Sequence, residues 1–463
     1  MMETPGEAKR LRHGPWREMV QLAFPVAVSN LLQRMLRAVD VFLLAGIGAE
    51  AVSGAGIGQL LMFMAMIPVW GLGVGTLVTV AQRAGAGDRE EAGRIALQGA
   101  LGTLKVSVPV ALVGLIASHP LARLLGAAPS VADLAAQYAQ VVFLAFPGVA
   151  LVHVLSSAMH GFGDTKRPMQ VILVMNLVHV VVAYVLIYGV AGLPSLGVRG
   201  AGVAVLVAEV LGAWLLWRTG IQRGYLLPGP GSKTLAREIR RVGMPVALDR
   251  LCWQAGQAVY AWLILIHGSA AYAAFQLGLN IESLSFMPGL AIGVATAALV
   301  GQAVGAKNPS RAEKSVRAAG GLGVLVMGSL GVLFMVVPGP LIRVLTHDPE
   351  VVTFGIDYLF IAGLSQVPLA MTMVLQGALR GAGDTRFILL VTLLGIWGVR
   401  LPVAAIATGP LGLDAAFLWW AFLLDWLART SFLLWRYRSR RWQPHGAPPV
   451  VPVQAFPPGG VQG

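Results

Sequence analysis

Charge is scarce in this sequence. Asp, Glu, Lys and Arg make up 12% of its 463 residues, about half the share found in soluble domains. That excludes an ordinary water-soluble globule. Cysteine is scarcer still: Cys252 stands alone. An intrachain disulfide and a cysteine-held metal cluster are therefore excluded, and the residue is expected to be a small packing group. The eight histidines fall at no metal-ligand spacing. No GxxxxGKS or GxxxxGKT run is present, so ATP is not expected to supply the energy, and no serine-nucleophile motif occurs. A secretory signal is not expected either. Residues 1–18 are polar and basic, and the apolar stretch after them is too long for a cleaved leader.

What the chain does have is long apolar runs. Apolar residues make up 56% of it, with mean hydropathy +0.73. A run of about 20 apolar residues spans a bilayer as a helix, and these runs are too long for barrel strands. Twelve spans follow, at about 19–44, 57–82, 97–117, 135–158, 169–190, 200–217, 243–266, 277–303, 318–337, 354–378, 388–407 and 413–435. The fold class is thus an all-α polytopic membrane protein. The tail from Gln443, rich in Pro and Gly, is expected to be disordered.

The net charge of +13 could suggest a nucleic-acid partner, but its distribution says otherwise. Seven alternate segments outside the spans, the two termini included, hold 4, 3, 2, 6, 4, 2 and 4 of the 34 Lys and Arg, 25 in all. The other side has three (Arg123, Arg199 and Arg343), and six lie within spans. Basic loops stay in the cytoplasm, so both termini are expected there, in a bacterial inner membrane. The charge is an orientation signal, and no nucleic acid is expected as partner.

The chain also repeats itself at an offset of 220 residues. Pro25-Val26-Ala27 matches Pro245-Val246-Ala247, and Gly48, Ala51 and Gly58 match Gly268, Ala271 and Gly278. Pro68, Gly73, Thr76 and Gln82 match Pro288, Gly293, Thr296 and Gln302; Gly85-Ala86 matches Gly305-Ala306, and Tyr138 matches Tyr358. Two six-helix bundles in the same orientation follow, related by a pseudo-two-fold axis with a cavity between them, a pattern of transporters. The expected divisions are a cytoplasmic N-terminus (1–18), a first lobe (19–217), a cytoplasmic linker (218–242), a second lobe (243–435) and a basic, then Pro/Gly-rich tail (436–463). A monomer is expected, because the duplication builds its pathway within one chain.

The repeat includes Gly163-Asp164-Thr165 and Gly383-Asp384-Thr385, each between the fourth and fifth span of its half. Gly is expected to end one helix, and Asp or Thr to cap the next. A turn, rather than a substrate site, is the expected role.

With these two loops, "GAGDREEAGR" after the second span and "GQAVGAKNPSRAEK" after the eighth, the chain resembles the MATE family (multidrug and toxic compound extrusion transporters) of the MOP flippase superfamily. "LNIESLSFMPG" at 279–289 resembles its prokaryotic DNA-damage-inducible-type branch. The resemblance covers about residues 19–435. It implies a V-shaped pair of lobes, and export of organic, often cationic, amphipathic compounds in exchange for H+ or Na+, with no other cofactor.

Ionisable groups within spans are costly and need a partner or a task. Here they are Arg34, Arg37, Asp40, Lys105, His153, His179, Glu209, Asp249, Arg250, Glu282, Arg400, Asp425 and Arg429. The resemblance implies that an acid in the first helix, beyond a helix-bending proline, takes the coupling ion; Asp40 and Pro25 match, and Asn176 matches the family's neighbouring fifth-helix Asn. A carboxyl group in low dielectric holds its proton more tightly, which suits a proton exchanger; carboxylate plus neutral oxygens would suit sodium. Two departures stand out. The family's second polar residue is Val180 here, with His179 beside it. Arg34, Arg37 and Asp40 share one helical face, so Arg37 could instead pair with Asp40 and make it structural.

In the second half the position of Asp40 is held by Tyr260, and Ala370 stands about where the family has an acid in the tenth helix. Coupling is therefore expected in the first lobe alone. Asp249–Arg250 and Asp425–Arg429 read as structural ion pairs. Glu282 and Asn280, with Tyr260, Met287, Arg34 and Arg37, are the expected lining of the substrate cavity. Glu282 would attract cationic substrates or be an amide-bonded packing acid. Two other readings stay open. A flippase for an anionic lipid-linked or glycolipid substrate would use the intramembrane arginines. A lipid-modifying membrane enzyme would need a His/Asp/Glu cluster near one interface, which the sequence lacks. A channel is disfavoured for want of a filter motif.

Overall fold

In a computed structural model, described over residues 14–190, 192–229, 233–410 and 412–442, every regular element is helical. The first half holds α1 (Pro15–Ala45), α2 (Ala49–Ala65), α3 (Ile67–Gly85), α4 (Arg89–Leu124), α5 (Pro129–Gly161), α6 (Lys166–Tyr188) and α7 (Val198–Gln222). The second holds α8 (Lys233–Ile266), α9 (Ser269–Gly305), α10 (Pro309–Val336), α11 (Pro338–Arg343), α12 (Pro349–Ala382), α13 (Thr385–Leu393), a π-helical turn over Leu394–Arg400, α14 (Leu401–Thr408) and α15 (Ala416–Arg438). The residues from Gln443 onward lie outside the described part.

Among the described residues, nine helical segments are long and apolar enough to cross a membrane, and α2 with α3 makes a tenth span. The remaining two long helices, α1 and α8, are symmetry equivalents. They are the ones that carry Arg34, Arg37 and Asp40, and Asp249 and Arg250. With these two, twelve helices stand at the positions of the twelve expected spans, and the pair below that apolar threshold carries several ionisable groups. Many helices outrun the bilayer. The 37 residues of α9 reach about 55 Å against a hydrocarbon core of about 30 Å.

Two expected spans are broken. The second bends by 45° between α2 and α3, where Pro68 opens α3 and removes a backbone donor. The eleventh slips into a π-helical turn just before Pro402 at the start of α14; the missing proline N–H loosens the ladder there. Pro25, by contrast, lies inside an unbroken α1, where the hydroxyl of Ser29 donates to its carbonyl at 2.8 Å.

The halves exchange their first turns. Met19, Leu22 and Ala23 of α1 pack in a second-half core with Ile292, Val316 and Leu379. Leu235 and Ile239 of α8 pack in a first-half core with Ile95 and Met159. Helix therefore occupies most of the segment expected as a linker over 218–242, with only 223–232 between α7 and α8. Equivalent acids fasten the exchange: Glu18 meets Arg311 of α10 at 2.9 Å, and Glu238 meets Arg83 of α3 at 3.2 Å. Both pairs are part-exposed, so each contributes at most about 1 kcal/mol.

These contacts all lie at the end where the basic loops gather. Asp88 and Asn308, again 220 apart, cap α4 and α10 there by accepting from the N–H of Glu91 and of Arg311, both at 2.9 Å. In the turns, Gly163 and Gly383 have φ of +79° and +87°. Asp164 accepts from the Arg167 N–H at 3.3 Å and pairs with its guanidinium at 3.1 Å. Asp384 instead meets Arg436 at 2.8 Å, and the Thr385 hydroxyl donates to the Val242 carbonyl at 2.9 Å. Thr165 makes no cap bond. Left-handed backbone costs a residue with a Cβ about 1–2 kcal/mol. Gly163→Ala and Gly383→Ala are therefore expected to lower the amount of folded protein more than they alter substrate choice. Altered selectivity at normal expression would contradict the turn role.

Candidate functional site

The expected ion-coupling residue, Asp40, is 5% exposed, and its partner is not Arg37. His179 of α6, 1% exposed, places Nε2 at 2.7 Å from Asp40 Oδ1. Asn176 lies one turn earlier on the same face of α6, and its amide donates to the Leu32 carbonyl at 2.9 Å. Together the two residues clamp α6 onto α1. The Tyr138 phenol stands within electrostatic reach of Asp40 and Arg37. Its ring fills the space that Gly58 leaves, since a Cβ there would lie 2.5 Å from it. Tyr358 fills the space left by Gly278 in the second lobe in the same way.

In the second lobe the acid is Glu282, 4% exposed. Tyr358 donates to its Oε2 at 2.6 Å, and the Gln366 amide lies 3.4 Å from Oε1. Beneath it, Asp425 is held by two arginines, both at 2.5 Å: Arg400, from the end of the π-helical turn, and Arg429, one turn along α15. All three are buried. The Arg400 guanidinium also lies over the Phe422 ring at 4.4 Å and donates to Gln257 at 2.5 Å.

Two side chains lock the lobes at the basic end. Gln82 of α3 donates to the Gly381 carbonyl, and Gln302 of α9 donates to the Gly161 carbonyl, both at 2.9 Å. Donors and acceptors are each 220 apart, so this is one contact made twice. The acceptors are the first glycines of the two Gly-x-Gly-Asp-Thr turns, whose repetition now has a second reason. Further from that end, Gly71 packs on the Gly243 backbone and Arg250 lies over Trp70 at 5.2 Å. Arg34 reaches Asn280 at 3.4 Å. Around that contact Arg37, Gln276 and Asn280 are exposed, and Arg34 and Met287 are half-buried.

Sequence and structure comparisons agree on what this arrangement is. The MatE family model matches residues 25–185 and again 245–406, and the two matches begin 220 residues apart. The chain belongs to the MatE family. It is 30% identical over 439 residues to a probable multidrug resistance protein NorM of Thermotoga maritima, covering 92% of this chain and 93% of that one. It is 27% identical over 447 residues to multidrug resistance protein MdtK of Yersinia pseudotuberculosis (92% and 96%). A MOP superfamily transporter from Pyrococcus furiosus superposes with a TM-score of 0.87 at 22% identity, over 96% of this chain and 100% of that one. A multidrug resistance MATE transporter solved in an outward-facing conformation gives the same score, identity and coverage. At that identity the likeness shows the fold, two lobes in a V.

Within this MatE fold several expected positions change. Tyr260 does not line a cavity: it is fully buried, and its hydroxyl donates to the Leu418 carbonyl at 2.6 Å. Glu282 does not face the cleft either; its hydrogen bonds turn it into the lobe. Asp249 does not pair with Arg250. Its carboxylate lies 3.8 Å from Arg380, since adjacent residues on a helix point about 100° apart. Asp425–Arg429 is an ion pair, joined by Arg400, 25 residues away in sequence and invisible to local spacing. Neutralising Asp425 would leave two buried arginines without an acid, at a cost of about 3–5 kcal/mol. Asp425→Asn is therefore expected to lower the midpoint of heat-induced aggregation in detergent by several degrees; an unchanged midpoint would show that the network contributes little.

Proposed function

We propose that this multi-pass membrane protein is a secondary active antiporter that exports amphipathic organic compounds in exchange for protons. Asp40 is its coupling residue, and the termini lie in the cytoplasm of a bacterial cell. The observation that carries the reading is the buried Asp40–His179 pair, in the first helix of a two-lobe transporter fold. The names of the NorM and MdtK relatives supply the direction, export of drugs. The charge asymmetry of the loops supplies the orientation.

The pair favours a proton over sodium. A hard cation needs several converging oxygens, whereas the carboxylate here faces a ring nitrogen at 2.7 Å. A carboxylate–imidazole pair accepts one proton and loses its net negative charge. Exposure of that pair first to one side and then to the other couples proton entry to substrate exit. No enzymatic step is needed, and the chain is proposed to act as a monomer.

Expression in a bacterium stripped of its own efflux pumps tests this. Tolerance of a panel of fluoroquinolones, dyes and anionic antibiotics should rise for at least one class, and cellular accumulation of that compound should fall. Well-expressed protein that changes neither for any class would overturn the reading.

A further inference from the structure

We propose that the cleft recognises the anionic group of an amphipathic substrate through Arg34 and Arg37. This rests on the transport reading above and names its substrate class. The argument is one of charge left over. Arg400 and Arg429 share Asp425, and Arg250 lies on Trp70 beside Asp249. Arg34 and Arg37 stand close enough to act on one another, yet neither is within ion-pair distance of a carboxylate among the described residues. Arg34 has one long bond, to an amide oxygen.

The acids that could have balanced them are turned away. Asp40, one turn from Arg37, is engaged by His179, and Glu282, two residues from Asn280, is engaged by Tyr358 and Gln366. An intramembrane guanidinium without an acid is costly, and two on one helical face add mutual repulsion. Their forks suit a carboxylate, sulfonate or phosphate, which they bind with paired hydrogen bonds. Arg34 meets α9 at Asn280, and Gln276 and Met287 follow the same face of that helix. The amides supply neutral donors to the same anionic head, and the thioether supplies an adaptable apolar contact for its tail.

An anionic head of this kind belongs equally to a soluble organic anion and to an anionic lipid. Full-length protein in proteoliposomes distinguishes them with three probes: anilinonaphthalene sulfonate, NBD-labelled phosphatidylglycerol and ethidium. Wild-type protein should move at least one of the two anions under an imposed pH gradient. In the Arg34→Gln/Arg37→Gln protein that flux should fall at least tenfold, and Arg34→Lys/Arg37→Lys should recover part of it. Flux of the sulfonate names a soluble anion as the substrate class, and flux of the lipid names a headgroup. Ethidium moved by the wild type with neither anion moved would overturn this proposal and leave the transport reading intact, as would anion flux unchanged in the glutamine variant. Failure of all three probes under pH and sodium gradients would remove the transport reading and this proposal with it.

Discussion

Asp40→Asn protein is expected to accumulate in the membrane at wild-type levels and to confer no resistance. Two parts of that result come from different physics. Asparagine is isosteric, and its amide oxygen still accepts a hydrogen bond from the His179 ring, so the α1–α6 contact persists at 2.7 Å geometry. The Asn176–Leu32 bond one turn away holds the same pair of helices. What asparagine cannot do is take up and release a proton, so gradient-driven flux should fall to the level of empty vesicles. His179→Phe gives the opposite pattern. It strands a buried carboxylate, at a cost of about 3–5 kcal/mol, and should show first as less folded protein. Wild-type resistance in Asp40→Asn cells would refute the coupling role.

The second large effect is expected at the paired glutamines. Gln82→Ala/Gln302→Ala removes two symmetric hydrogen bonds between lobes. At about 1 kcal/mol each, their loss shifts the balance between closed and open at the basic end by about 30-fold. A cysteine in place of Ala297, which packs with Leu77 and Val78 across the seam, reports this in a chain whose Cys252 is replaced by alanine. Its labelling by an impermeant maleimide from the basic side should quicken by that factor. Gly85→Val goes further, because its side chain would collide with the Gln302 backbone. It should hold the seam open and stop transport while the separate lobes stay folded. Unchanged labelling in both variants would mean that the seam is held by its apolar contacts alone.

How much of this could be read from the sequence depended on the range of the interactions. The twelve spans and the duplication are one-dimensional signals, apolar runs and a constant offset, and both reappear in the structure. The breaks at Pro68 and Pro402 were not legible. Proline also sits inside unbroken α4, α5, α9 and α12, where neighbouring helices tolerate the missing donor, so its presence does not predict a kink. Asp40 was legible as a buried acid, but its partner lies 139 residues away. The available hint was that Asn176 and His179 share a face of α6, while the Arg34–Arg37–Asp40 spacing suggested an ion pair that is not made. Glu282 was expected on the cleft with Asn280, as an acid of the eighth span without a sequence-local partner. Two residues along a helix turn the side chain by about 200°, and that turn carries it into the lobe. The exchange of the first turns of α1 and α8 left no local trace, because a helix buried in the other lobe has the same pattern as one buried in its own.

The measurement that bears most directly on proton coupling is drug uptake into everted membrane vesicles under imposed gradients. Norfloxacin suits it, since it carries both a carboxylate and an amine and so does not presuppose the charge of the cleft. A pH gradient, acid inside, should drive uptake by wild-type protein and none by Asp40→Asn protein, and a sodium gradient at equal pH should drive none. Uptake driven by sodium alone, or a pH-driven flux that survives loss of the Asp40 carboxylate, would contradict the account.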